Sequence, residues 1–79
     1  MGYHKQEIDK GNLGESSKIV EELQELIDAE EQSCRILVHV ELSDLYGALE
    51  SCANSYGLSM EDLKQMSDLT KDAFKSGDR

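Results

Sequence analysis

The sequence has no proline and only two cysteines, Cys34 and Cys52, in 79 residues. Two cysteines can form one disulfide at most, which excludes a small scaffold held together by several disulfides. Long apolar runs are also missing, since none approaches the roughly 18 residues that cross a bilayer. The polar stretch at residues 3–10 lacks the apolar core of a secretory signal. These absences predict a cytoplasmic protein with free thiols and no membrane partner.

Positive charge is scarce as well. Eight lysine and arginine residues stand against 17 acidic residues, for a formal net charge of -9. A surface of that sign repels nucleic-acid polymers, because their backbones carry dense negative charge. We therefore expect no nucleic-acid polymer among the partners.

The apolar residues recur with helical spacing, which predicts an all-α fold of three helices. The first helix is expected to begin at residue 15 or 16 and to end at 31, and the second to span about 34–54. Ser59 and Asp62 have the spacing of a capping box, which places the start of the third helix there. Gly77 is the expected C-terminal cap of that helix.

The chain is expected to form one domain, because it is short. Residues 1–14 are predicted to be an N-terminal segment with a glycine loop, and residues 15–79 a single all-α domain. A chain of this size buries only about 60 % of the surface that it exposes when unfolded, so its own core is marginal. With a scaffold of several disulfides excluded, a metal ion or a second subunit is the expected source of further stability.

The excess negative charge is concentrated in residues 15–50, which hold ten acidic residues and two basic ones. Two acidic pairs there have i, i+3 spacing, Glu22 with Glu25 and Glu41 with Asp44, so each pair lies on one helix face. At about 100° per residue, Glu41 projects among the apolar residues of the second helix. A carboxylate on such a face is unfavourable unless it is paired or bound to a cation.

The remaining acidic residues of the first helix are expected to be solvated. Glu21, Asp28 and Glu31 project further from its apolar side than Glu22 and Glu25 do.

If the first two helices form an antiparallel hairpin with a turn near Ser33, the two acidic pairs lie at the same height. Four carboxylates then converge between the helices, and an oxygen-only ligand set suits Mg²⁺, with Mn²⁺ as an alternative. The segment between Asp28 and Arg35 contains neither glycine nor proline. One long continuous helix is therefore an open alternative to the hairpin.

Carboxylate-bound Mg²⁺ commonly serves phosphate chemistry, which also needs positive charge from the protein. Lys18 lies one turn from Glu22, where it can form a helix ion pair or contact a phosphate. Lys71 and Arg79 supply positive charge near the C-terminus, where they can instead complement the helix dipole.

The sequence Glu22-Leu-Gln-Glu25, fifteen intervening residues and Glu41-Leu-Ser-Asp44 resembles the signature of the MazG-like, all-α nucleoside triphosphate pyrophosphohydrolases. The flanking segments are similar to short single-domain members of that family, many of them from phages. These segments lie at residues 10–19, 28–32, 41–48 and 70–79.

This resemblance implies Mg²⁺-dependent hydrolysis of a nucleoside triphosphate between its α and β phosphates, giving the monophosphate and pyrophosphate. It implies catalytic and metal-binding roles for four residues, namely Glu22, Glu25, Glu41 and Asp44. It places Lys18, Lys71 and Arg79 near the substrate phosphates. The family also implies a homodimer or homotetramer, in which antiparallel helices from two chains complete a core like a four-helix bundle.

Two other functions remain open from the sequence. A non-enzymatic, acidic helical interaction protein would expose its acidic residues and bind no metal. A nucleotide-sensing, inactive relative of the pyrophosphohydrolases would bind a nucleotide without hydrolysing it.

Overall fold

The structure, a computed structural model that describes residues 4–77, is all-helical. Helix α1 spans Ser16–Glu31, α2 spans Arg35–Ser55 and α3 spans Met60–Ser76. The described part of the chain contains no strand. The predicted all-α class is therefore confirmed, and the predicted boundaries differ from the observed ones by about one residue.

Local capping explains where α3 begins and ends. The Ser59 hydroxyl accepts a hydrogen bond from the Asp62 backbone, and the Asp62 side chain accepts one from the Ser59 backbone. Gly77 ends the helix with a positive φ of 80°. The capping box and the glycine cap were both visible in the sequence, because each depends only on residues that are neighbours along the chain.

The turn between α1 and α2 forms without glycine or proline. Ser33 adopts a positive φ of 55°, and its N–H donates to the Glu30 carbonyl at 3.0 Å. The Cys34 N–H donates to the Ala29 carbonyl at 3.4 Å. This pair of bonds is the Schellman arrangement that ends many helices, with serine where glycine is usual. The hairpin therefore forms, and the continuous helix is excluded.

Replacing Ser33 with glycine is expected to stabilise the protein. An L-residue in the left-handed region costs about 1 kcal/mol that glycine avoids, and in a domain of this size that corresponds to about 4–8 °C in Tm. Thermal unfolding followed by circular dichroism measures the change. Gly57, with φ 77° in the matching position after α2, provides the reciprocal control, because Gly57→Ala should lower Tm. A lower Tm for Ser33→Gly would contradict the backbone explanation.

Helices α1 and α2 pack along each other across a short connection. The apolar side chains buried between them are small: Ala29, Ala48 and Ala53 are at most 6 % exposed. The other buried residues are acidic, and they are Glu21, Glu22, Asp28 and Glu41. The interior of the hairpin is therefore narrow and negatively charged rather than a conventional apolar core.

Most large apolar side chains lie on the outer surface of the hairpin. Those exposed on α1 and α2 are Val20, Leu23, Ile27, Ile36, Val40, Leu42, Tyr46 and Leu49. The periodicity was predicted correctly, but a single chain does not bury this face. Surface of this kind marks an interaction site in a soluble protein.

Helix α3 contacts the other two helices only marginally within the described residues. On the apolar side of α3, Met66 is 64 % and Leu69 is 65 % exposed. The radius of gyration is 14.7 Å, against about 12 Å for a compact domain of this length. Within the single chain the apolar side of α3 is therefore exposed, because α3 extends away from the hairpin.

Residues 4–14 form no helix and lie against α1. None of the helices in the described part of the chain has the length and apolar character needed to cross a membrane.

Candidate metal centre

Four carboxylates meet between α1 and α2. Glu22 and Glu25 of α1 and Glu41 and Asp44 of α2 each offer one oxygen atom, and these atoms lie within 4.8 Å of one another. The i, i+3 spacing puts each pair on one face, and the Ser33 turn brings the faces together. The structure thus places together the four residues that the sequence selected.

Burial differs within this carboxylate cluster. Glu41 is 0 % and Glu22 is 5 % exposed, whereas Glu25 is half-buried and Asp44 is exposed. The Oε1 atoms of Glu22 and Glu41 are buried and accept no hydrogen bond. A buried carboxylate without compensation costs several kcal/mol. A cation bound at the inner end of the cluster would compensate these unpaired oxygens.

Burial and neighbouring negative charge also disfavour ionisation in the cluster. Burial is the largest cause that raises the pKa of Glu22, and the charge of Glu25 adds to it. Burial likewise raises the pKa of Glu25, and the adjacent Glu41 carboxyl group raises it further. A divalent cation would reverse this effect by compensating the like charges.

The donor set fits a hard cation. All four groups offer carboxylate oxygen, the ligand type that Mg²⁺ and Mn²⁺ prefer. Exposed acidic groups often occur without a metal, but here two members of the cluster, Glu22 and Glu41, are buried and have Oε1 atoms that accept no hydrogen bond. Glu22, Glu25, Glu41 and Asp44 could therefore hold Mg²⁺.

Lys18 lies at the edge of the carboxylate cluster. Its Nζ is 3.1 Å from Glu21 Oε1 and 3.2 Å from Glu22 Oε2. The hydrogen bonds to these two carboxylates raise the pKa of Lys18, so the ammonium group stays charged. A positive charge is thus held at the edge of the cluster, where an anionic ligand could reach it.

The two C-terminal cations are not brought to the cluster by the described residues. Lys71 is exposed on α3, the helix that has little contact with α1 and α2. Arg79 lies outside the described residues. Their assignment to substrate binding stays a prediction.

A cleft of about 540 Å³ opens beside the carboxylate cluster. Lys18, Glu22, Asp44 and Gly47 are among the residues that line it. A Cβ at Gly47 would meet no atom within 4 Å, so the cleft is open at that point. The exposed Asp44 carboxylate therefore faces a space that a small phosphorylated ligand could enter.

The expectation that Glu21 and Asp28 are solvated is wrong, because they are 2 % and 1 % exposed. The N-terminal segment covers them and supplies hydrogen-bond donors. The Gly11 N–H donates to Glu21 Oε1 at 2.8 Å, and the Lys5 N–H donates to Asp28 Oδ2 at 3.2 Å. These bonds, with that of the His4 ring to Asp28, lower the pKa values of both carboxyl groups although burial opposes it.

His4 is the site residue that the sequence did not assign. Its Nε2 is 3.1 Å from Glu41 Oε2 and 3.6 Å from Glu25 Oε1. Burial lowers the pKa of His4, but the Asp28 hydrogen bond and the carboxylate charges outweigh it, so the pKa is raised. No sequence signal marked this residue, since it lies in a segment without periodicity.

Comparisons of this chain with protein-family models, curated proteins and solved structures found no match. The chemistry of the site is therefore inferred from its own side chains and their geometry.

Proposed function

We propose that this protein is a Mg²⁺-dependent nucleoside triphosphate pyrophosphohydrolase, which cleaves the bond between the α and β phosphates. The observation that carries the proposal is the convergence of Glu22, Glu25, Glu41 and Asp44, with buried oxygens that lack hydrogen bonds. The resemblance of these two acidic pairs to those of MazG-like enzymes supports the same activity. The products are a nucleoside monophosphate and pyrophosphate.

In this proposal the four carboxylates hold the metal, and the remaining groups handle the substrate. Bound Mg²⁺ supplies Lewis-acid polarisation of phosphate oxygens and compensates their charge. One carboxylate of the cluster orients the attacking water and accepts its proton. The Lys18 ammonium group contacts the phosphates from the edge of the cleft, and Lys71 and Arg79 add positive charge.

The same proposal includes a homodimer or homotetramer. Helices from two copies would pack their exposed apolar faces together and complete a core like a four-helix bundle. The support is the exposure of large apolar side chains on all three helices, with Ile36 77 % and Met66 64 % exposed. Burial of such surface contributes about 25 cal/mol per Å². The chain needs this contribution, because the buried apolar side chains among residues 4–77 are three alanines.

The proposal predicts pyrophosphate release from at least one member of a panel of NTPs and dNTPs. The reaction should require Mg²⁺ and stop in excess EDTA, because the carboxylate cluster alone repels the polyphosphate. Mg²⁺ should also raise Tm, since a ligand that binds only the folded state stabilises it. A colorimetric pyrophosphate assay and thermal unfolding measure the two effects.

Other outcomes of that assay would identify a different function. Nucleotide binding without release of pyrophosphate would indicate a nucleotide sensor. Absence of turnover with every nucleotide, together with no effect of Mg²⁺ on Tm, would indicate a non-enzymatic interaction protein. The burial of Glu41 and Glu22 already argues against the latter, since such a protein would present its acidic residues to solvent.

A further inference from the structure

The N-terminal segment is fixed along α1 at two points, seven residues apart on that helix. At Gly11 the backbone passes so close to α1 that a Cβ would overlap the Ser17 carbonyl, and the Gly11 N–H donates to Glu21. At the other end, the Lys5 N–H donates to Asp28. Because both ends are held by buried carboxylates, the segment brings His4 to a defined position beside the cluster.

The imidazole of His4 is oriented by Asp28. Its Nδ1 is 2.9 Å from Asp28 Oδ2. An ionised carboxylate only accepts hydrogen bonds, so we assign the hydrogen of this bond to Nδ1. In the neutral ring the lone pair is then on Nε2, which faces Glu25 and Glu41. A carboxylate that holds one histidine nitrogen while the other faces further ligands is the usual arrangement around metal-binding histidines.

We propose that His4 Nε2, Glu25 and Glu41 form a binding site for a divalent transition-metal ion, with Asp28 positioning the imidazole. The site shares two carboxylates with the proposed magnesium site and to that extent rests on the proposed function. It differs in its nitrogen ligand and does not include Glu22 or Asp44.

The distances between the ligand atoms fit such an ion. Two ligands about 2.1–2.2 Å from one metal, at angles of 90–120°, lie roughly 3.0–3.7 Å apart. His4 Nε2 lies 3.1 Å from Glu41 Oε2 and 3.6 Å from Glu25 Oε1. One donor atom from each of the three residues lies within 4.8 Å of the other two. No large movement is therefore needed to close the three ligands around an ion.

The buried Glu41 provides a second, independent indication of a ligand. It is 0 % exposed, and its Oε1 accepts no hydrogen bond. The mixed nitrogen and oxygen donor set favours Co²⁺ or Zn²⁺ over Mg²⁺ and Ca²⁺, because imidazole is a poor ligand for the hard ions, and Mn²⁺ accepts both kinds of donor. Mn²⁺ is the convenient probe, since it is paramagnetic.

The test uses the whole chain, loaded with Mn²⁺ alone, and pulsed electron paramagnetic resonance to detect nitrogen bound to the metal. The expected result is a ¹⁴N coupling in the wild-type protein that disappears in His4→Gln. It should persist in His39→Gln, the matched control, because His39 is the other histidine and is exposed on α2. Absence of ¹⁴N coupling in the wild type, or its survival in His4→Gln, would overturn the proposal.

Affinities give a second measurement. His4→Gln should weaken Mn²⁺ binding at least about tenfold, and Asp28→Asn should weaken it about 10–100-fold through loss of imidazole orientation. Mg²⁺ binding, at the oxygen ligands, should change by less than about threefold in His4→Gln. Circular dichroism checks that each variant is folded. Equal losses of affinity for Mn²⁺ and Mg²⁺ in His4→Gln would show that His4 only stabilises the fold.

These readouts separate the two proposals. A wild-type protein that shows ¹⁴N coupling but releases no pyrophosphate keeps the metal site and refutes the proposed activity. A wild-type protein that releases pyrophosphate with Mg²⁺ but shows no ¹⁴N coupling keeps the activity and refutes the nitrogen-ligated site.

Discussion

Replacing Glu41 with glutamine is expected to abolish pyrophosphate release, with a loss of more than about 100-fold. Removing a residue that only hydrogen-bonds to a metal ligand lowers metal affinity or activity by about 10–100-fold. Glu41 is proposed as a ligand itself, and it is the most buried member of the carboxylate cluster. Glutamine keeps the shape of the side chain but removes one negative charge at the metal site. The pyrophosphate assay on the wild type and the variant measures the effect.

The same substitution should raise Tm in metal-free buffer. Glu41 is 0 % exposed beside other carboxylates, so neutralising it relieves both desolvation and like-charge repulsion. A gain of about 1 kcal/mol would appear as about 4–8 °C. Added Mg²⁺ should then raise Tm much less than it does in the wild type. Opposite changes in stability and activity are typical of residues that serve a site rather than the fold.

A matched control is Glu30→Gln, which removes the same charge from an exposed position on α1. Neither its activity nor its response to Mg²⁺ should change. If Glu41→Gln keeps wild-type activity, the cluster is not the reaction centre. If it lowers Tm in metal-free buffer, the Glu41 carboxylate stabilises the fold instead, for example through its contact with His4 Nε2 at 3.1 Å.

Replacing Met66 with glutamate is expected to dissociate the proposed oligomer. Met66 lies near the centre of the apolar side of α3 and is 64 % exposed in the single chain. A second copy that covered this side would bury the new carboxylate, which is unfavourable by several kcal/mol without a partner. The mass measured by light scattering should fall to the 8.8 kDa of one chain, and Tm should fall with it.

The neighbouring residue supplies the control for this experiment. Gln65 is exposed on the polar side of α3, about 100° around the helix from Met66. Gln65→Glu adds the same charge at nearly the same height, so it should leave the oligomer intact. Dissociation by both variants would indicate a general charge effect. A wild-type protein that is monomeric at micromolar concentration would contradict the oligomer itself.

The helices and the carboxylate cluster could be predicted because both follow from local geometry. The helical period sets which face Glu22, Glu25, Glu41 and Asp44 occupy. The hairpin did not follow from local geometry in the same way, since Ser33 takes a backbone conformation that glycine usually takes. A serine at position 33 is compatible with a turn and with a continuing helix.

The direction in which the apolar sides face could not be predicted in the same way. Periodicity identified the apolar side of α3 but not what covers it, and Met66 and Leu69 prove to be exposed within one chain. A helical pattern indicates that one face of a helix is apolar. Which surface covers that face depends on how the helices are arranged in space.

The sequence by itself determined three helices, the caps of α3 and two acidic pairs with the spacing to meet. Only the tertiary structure decided that Glu21 and Asp28 are buried and that His4 reaches Glu25 and Glu41. The physical reason is the range of the interactions. The face that a residue occupies on a helix is set by the regular backbone geometry of its neighbours along the chain. The contact between His4 and Asp28, in contrast, joins residues 24 positions apart. That contact exists only because a segment without periodicity lies against the buried acidic side of α1.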